Sequence, residues 1–141
     1  MDVNYFDFMS DAKRVYSRYL DPVCRQWGLT RNELDVILFL ANNPNYDRAA
    51  DIVALRGISK SHVSLSVSTL ESKGLLVREM DPDDRRTVHL KLKADAYFVA
   101  EAGRQAQKRF MDCIHAGITE EEMQIWRGMA LRIRNNMRNM E

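Results

Sequence analysis

Only two cysteines, Cys24 and Cys113, occur in the 141 residues. That is too few for a disulfide framework, and no Cys-x-x-Cys pair suggests zinc. Long apolar runs are missing too: no stretch approaches the roughly 18 uncharged residues of a membrane span. The N-terminus, MDVNYFDFMSDAKR, is acidic and lacks a basic region leading into an apolar run, so it does not read as a signal peptide. The expectation is a cytoplasmic protein with no membrane partner. His62, His89 and His115 show no metal-ligand spacing. A glycine-rich phosphate loop, a zinc-helix motif and a nucleophile elbow are all absent. No enzyme, cofactor or metal is expected. His62 suits a phosphate or base contact, His89 a solvated strand position and His115 a helix C-terminus.

What is present is a globular profile, with 45% hydrophobic and 29% charged residues, and a length that fits a single domain over 1–141. The net charge of +1 conceals an uneven distribution. Arg56 to Lys93 carries eight basic and five acidic residues, whereas the remainder of the chain nets −2. A basic middle between mildly acidic ends suits a nucleic-acid-binding module set between non-binding arms.

Hydrophobic periodicity predicts a first helix over 4–26, with Tyr5, Met9, Ala12, Tyr16, Tyr19 and Val23 spaced as in a helix–helix seam. Thr30-x-x-Glu33 is a capping box opening a second helix that stops before Pro44. A short helix over 47–56 follows, then Gly57, then Ser59 capping a helix over 60–73 that ends at Lys73-Gly74. Residues 75–80 read as a strand. Val88, Leu90 and Leu92 alternate with His89, Lys91 and Lys93 in a second strand. Asp95 is expected to cap a helix over 96–116. Thr119-x-x-Glu122 is a second capping box, and the last helix again carries a seam of Met123, Trp126, Ala130, Ile133, Met137 and Met140.

Helix, helix, turn, helix, strand, charged turn, strand is a winged helix-turn-helix, here over 30–94. The fold class is mainly α with a small β-wing (α+β), flanked by long terminal helices. The helix after Gly57 turns Ser59, Lys60, Ser61, His62, Ser64, Leu65, Ser68 and Thr69 away from its apolar face. Short hydroxyl side chains let a helix sit deep in the major groove of double-stranded DNA and donate to phosphates and base edges. In DPDDRRTVHLKL, residues 81–92, the turn between the strands would project as a wing. An arginine at its tip can enter a narrow minor groove, and a nearby carboxylate can hold that arginine ready.

ISKSHVSLSVSTLESKGLLVRE followed by DPDDRRTVHLKL resembles the multiple antibiotic resistance regulator (MarR) family over nearly the whole chain. The family's D-x-R wing signature falls on Asp84-Arg85-Arg86. The resemblance implies that Arg86 is the minor-groove arginine and Asp84 its positioning partner. The family's junction after the recognition helix matches Lys73-Gly74-Leu75. Leu65 and Thr69 stand where many members carry arginines. They cannot make a bidentate contact to guanine, although Leu65 can pack on a thymine methyl. Leu92-Lys93 replaces the usual Leu-Thr after the wing. Cys24 lies at the far end of the first helix from the reactive cysteine of peroxide-sensing members.

The seams on 4–26 and 96–140 predict dimerisation helices, hence a homodimer and a pseudo-palindromic operator. The resemblance further implies a small aromatic or anionic effector, with Tyr16, Arg18, Tyr19, Trp27 and Phe39 as candidate lining residues. Two functional classes fit the sequence. One is a sequence-specific transcription regulator, with repression the expected direction. The other is a winged-helix dimer acting through protein partners, or through redox chemistry at Cys24 or Cys113, with weak DNA binding.

Overall fold

Residues 3–141 are described by a computed structural model. Among them lie six helices and one two-stranded antiparallel sheet. Two compact units are present, one running to Phe110 and the other spanning Met111–Glu141.

In the first unit, α1 (Tyr5–Trp27) starts at Asn4, whose side chain accepts the Phe6 N–H, and stops at Gly28. Pro22 lies inside this helix and withholds one amide from its hydrogen-bond ladder. The seam expected on α1 divides. Val23 is buried and Tyr16 and Tyr19 pack on the core, while Tyr5 and Met9 stay exposed. The second helix, α2 (Arg31–Asn42), begins with the Thr30/Glu33 capping box and buries Leu34, Val36, Ile37, Leu38 and Phe39. α3 (Ala49–Arg56) follows; the Arg48 side chain at its start offers no acceptor to cap it, and the Arg48 N–H donates to the Asp51 carboxylate at 3.1 Å. α4 (Lys60–Ser72) turns Val63, Val67 and Leu70 inward.

α4 ends in a Schellman turn. The N–H of Leu75 donates to the Leu70 carbonyl and that of Gly74 to the Glu71 carbonyl, both at 3.0 Å. Gly74 sits at φ 73°, and a Cβ built on it would meet nothing within 4 Å. The penalty for a side chain there is therefore conformational only. Gly74→Ala is expected to cost about 1 kcal/mol, read as a lower urea midpoint with an unchanged slope.

β1 (Leu76–Met80) pairs with β2 (Val88–Leu92), with Leu76 opposite Leu92 and Glu79 opposite His89. Leu76 and Leu90 enter the core. Val88, expected to be half-buried, is exposed at 36%, because it borders an open cavity described below. α5 (Ala94–Ile114) begins earlier than the Asp95 cap implied. Asp95 lies in its first turn, where its charge favours the helix N-terminus without capping it. α5 approaches α2 closely at Gly103, where a Cβ would stand 2.7 Å from a Leu38 methyl. Arg104 then closes the end of α2, donating to Asn42 at 2.7 Å and to the Ala41 carbonyl at 2.8 Å.

In the second unit, α6 (Glu120–Arg138) opens with the Thr119/Glu122 capping box. Met123 is buried, while Ile125, Met129, Leu131, Ile133 and Met137 are exposed.

Candidate nucleic-acid interface

The residues expected to meet DNA share one unit and two neighbouring elements, α4 and the β1–β2 turn. Ser59 is the N-cap of α4, its hydroxyl accepting the His62 N–H at 3.2 Å. Lys60, Ser61, His62, Ser64, Leu65 and Ser68 are exposed, and Thr69 is half-buried. Leu65 is 66% exposed, an apolar side chain at the middle of the outer face. Two of the hydroxyls on this side are already engaged within the protein. Thr69 gives its proton to the Leu65 carbonyl at 3.0 Å, one turn back along the helix. The Ser68 hydroxyl accepts from Arg78 of β1 at 3.0 Å, which ties the hairpin to the outer face of α4.

The wing turn is shaped by its own carboxylates. One oxygen of Asp81 accepts the N–H groups of Asp83 and Asp84, at 2.8 and 3.1 Å. Asp84 then accepts the Arg86 N–H and the Thr87 hydroxyl, each at 3.0 Å, and its carbonyl takes the Thr87 N–H at 3.0 Å. Asp84 thus holds Arg86 through the backbone and not through the guanidinium. The side chains of Arg85 and Arg86 are exposed at the tip. Two of the turn's three acids, Asp81 and Asp84, are thus internal acceptors that fix the backbone and leave the arginines outward.

The root of the wing contains a cluster that sequence periodicity did not reveal. His89, read as a solvated strand residue, is only 28% exposed. Its Nδ1 lies 2.7 Å from Asp47 and its Nε2 2.8 Å from the second oxygen of Asp81. Lys91 donates to the other Asp47 oxygen at 2.9 Å, and the Leu90 N–H donates to the Asp47 carbonyl at 2.7 Å. The hydrogen bonds to Asp81 and Asp47 push His89 above its ordinary pKa. The bond from His89 lowers Asp81. Burial works to raise Asp47, but the bonds from His89 and Lys91 outweigh it and leave it lowered.

A family model described as the MarR family matches residues 27–87. The HTH-type transcriptional regulator YdgJ of Bacillus subtilis is 25% identical over 114 residues, covering 81% of this chain and 69% of that protein. Over residues 27–87 the chain is similar to the MarR family. Solved structures agree on the fold. A MarR family transcriptional regulator from Silicibacter pomeroyi superposes with a TM-score of 0.80 at 20% identity, covering 92% of this chain and 86% of the other. The MepR–DNA complex of S. aureus gives a TM-score of 0.78 at 17% identity, covering 96% and 99%. The relative and the neighbours so matched are transcriptional regulators, and one of them was solved with DNA. Among the described residues, no helix is long and apolar enough to cross a membrane.

Four of the five candidate effector residues are wholly or partly buried. Phe39 is 1% exposed and belongs to the core, with the Arg56 guanidinium over its ring. Tyr16 and Tyr19 pack on Phe110 at 5.0 and 5.9 Å. The Tyr16 hydroxyl accepts from Gln107, and Arg31 lies over the Tyr16 ring. Trp27 packs against the core and Arg18 faces outward. None of the five lines the cavity of about 500 Å³ bounded by α3, α4 and the hairpin, whose walls include Ala49, Val53, Val67, Val88, Lys60 and Arg78. Sequence reasoning missed this cavity because three segments distant in the chain frame it.

The thiols part company as well. Cys24 is buried, and burial pushes its pKa up against the opposing effect of Arg31. That is the reverse of a reactive thiol. Cys113 is exposed on α5.

Proposed function

We propose that this chain acts as a homodimeric transcription regulator on a pseudo-palindromic operator. In this reading α4 of each protomer lies in the major groove, and Arg86, flanked by Arg85, reaches into the minor groove. The observation that carries it is the wing turn: four hydrogen bonds from backbone and side chain to Asp81 and Asp84 fix a loop whose arginines point outward. A turn preorganised in this way lowers the ordering cost of binding. Tyr5, Phe6 and Met9 on α1, and Ile125, Met129, Leu131 and Ile133 on α6, leave apolar surface exposed in one chain, which supports pairing with a second copy. Two-fold pairing would set the recognition helices about 34 Å apart, one duplex turn.

Repression is the direction favoured by resemblance to the family. The cavity beside α4, apolar with Lys60 and Arg78 on its walls, suits a small anionic effector. Its occupancy would act on α4 and the hairpin together and so compete with DNA.

Equilibrium binding to a duplex from the gene's own upstream region, at two salt concentrations, tests the reading. It expects affinity above that for random duplex and a steep salt slope, with sedimentation showing a dimer. Equal affinity for both duplexes, or a lone subunit in sedimentation, would remove it.

A further inference from the structure

His89 is bonded through both ring nitrogens to carboxylates on two different segments. A neutral imidazole has one donor and one acceptor nitrogen. Only the imidazolium can donate to Asp47 and Asp81 together, and the separations of 2.7 and 2.8 Å are those of charge-assisted bonds. Asp47 belongs to the loop leading into α3, and Asp81 is the residue whose other oxygen gathers the first two amides of the wing turn. One ring thus joins the body of the winged helix to the acceptor that shapes the wing tip.

We propose that His89 is a positioning residue for DNA binding: as an imidazolium clamped between Asp47 and Asp81 it sets the pose of the wing, and its deprotonation releases that pose. The inference rests on the reading that the wing contacts DNA. Loss of the proton turns one nitrogen's lone pair toward a carboxylate oxygen, which opens one side of the clamp.

The charged groups around the ring favour the imidazolium. Asp47 and Asp81 bond to it, and Glu79 stands opposite it across the hairpin. Against them, Lys91 shares Asp47, and Arg48 is engaged by Asp51. The raised pKa of His89 gives the sign: the clamp is complete below its ordinary pKa of about 6.5 and is lost as the pH rises through the folded value. DNA affinity should fall in the same direction.

Binding of the full chain to the upstream duplex, at fixed salt from about pH 6 to 8.5, reads the effect. A drop of about 10-fold across this range is expected for the wild type, equivalent to about 1.4 kcal/mol. His89→Gln should bind weakly and almost independently of pH. His62→Gln, which removes the other histidine of the interface, should keep the pH dependence. In an Arg86→Ala background the dependence should largely vanish, because His89 acts through the wing. An undiminished dependence in His89→Gln or in Arg86→Ala would overturn the proposal.

An NMR titration without DNA supplies an independent arm. The His89 ring should titrate above about 6.5, and the amides of residues 83–87 should shift with it. A ring that titrates without moving those amides would overturn the proposal. Should no duplex bind at any pH, the DNA-binding reading fails, and the NMR arm alone decides for or against the clamp.

Discussion

Arg86→Ala is expected to weaken binding to the upstream duplex by about 1–3 kcal/mol, roughly 5- to 150-fold. The fold should be unchanged. The turn is held by Asp81, Asp84, the Arg86 N–H and Thr87, all of which an alanine retains. What disappears is an exposed guanidinium at a fixed tip. The logarithmic salt slope should fall by about one unit if the arginine displaces one counterion. Arg85→Ala, beside it, should act in the same direction and less. Parallel titrations of the three proteins by fluorescence anisotropy at two salt concentrations separate these outcomes. Unaltered affinity in Arg86→Ala would show that the wing tip does not touch the duplex.

Lys73→Met is expected to destabilise the fold by about 1–3 kcal/mol at neutral pH, the usual cost of leaving a buried acceptor short of a partner. Glu33 is 3% exposed. One oxygen closes the α2 capping box by accepting the Thr30 N–H at 2.9 Å, and the other accepts from Lys73 at 2.9 Å. Lys73 also donates to the Gly28 carbonyl at 2.8 Å. The end of α4 is thereby fastened to the α1–α2 junction. Burial works to raise the Glu33 pKa, but the hydrogen bonds from Thr30 and Lys73 prevail and lower it.

A lowered carboxylate pKa contributes stability above the unfolded value of about 4.3, and that contribution is lost as the pH falls through the folded value. The gap between Lys73→Met and wild type should therefore be widest near neutrality and shrink under acid. Urea unfolding at pH 7 and near pH 3.5 measures both. A gap independent of pH would mean that Lys73 acts through Gly28 or through packing alone.

These two predictions differ in how far the sequence led to them. The turn that carries Arg86 was legible because turn chemistry and strand alternation are local: Asp81-Pro82 marks the turn, and Val88, Leu90 and Leu92 mark the strand after it. Both capping boxes and the Gly74 terminus were legible for the same reason. The bonds between Glu33 and Lys73 and between His89 and Asp47 were not, since each spans 40 or more residues and no periodicity encodes them. A 3.6-residue pattern tells which face of a helix is apolar, not whether that face ends in a cavity or a core, and the Phe39 side chain is buried in the core. Residue type marks Asp95 as a cap, whereas the backbone turns helical at Ala94, two residues before the expected start at 96.

The bond from Arg78 to Ser68 has a mechanical consequence for the duplex. With the hairpin also joined to the α2–α3 loop through Leu90 and Asp47, the helix and the finger would meet the duplex as one stiff bracket while the His89 clamp is closed. A stiff bracket cannot adjust to a rod of the wrong curvature, so the nucleic acid must supply the compliance. Supple pyrimidine–purine steps between the two points of contact would then be favoured over rigid tracts, even at base pairs the protein never touches.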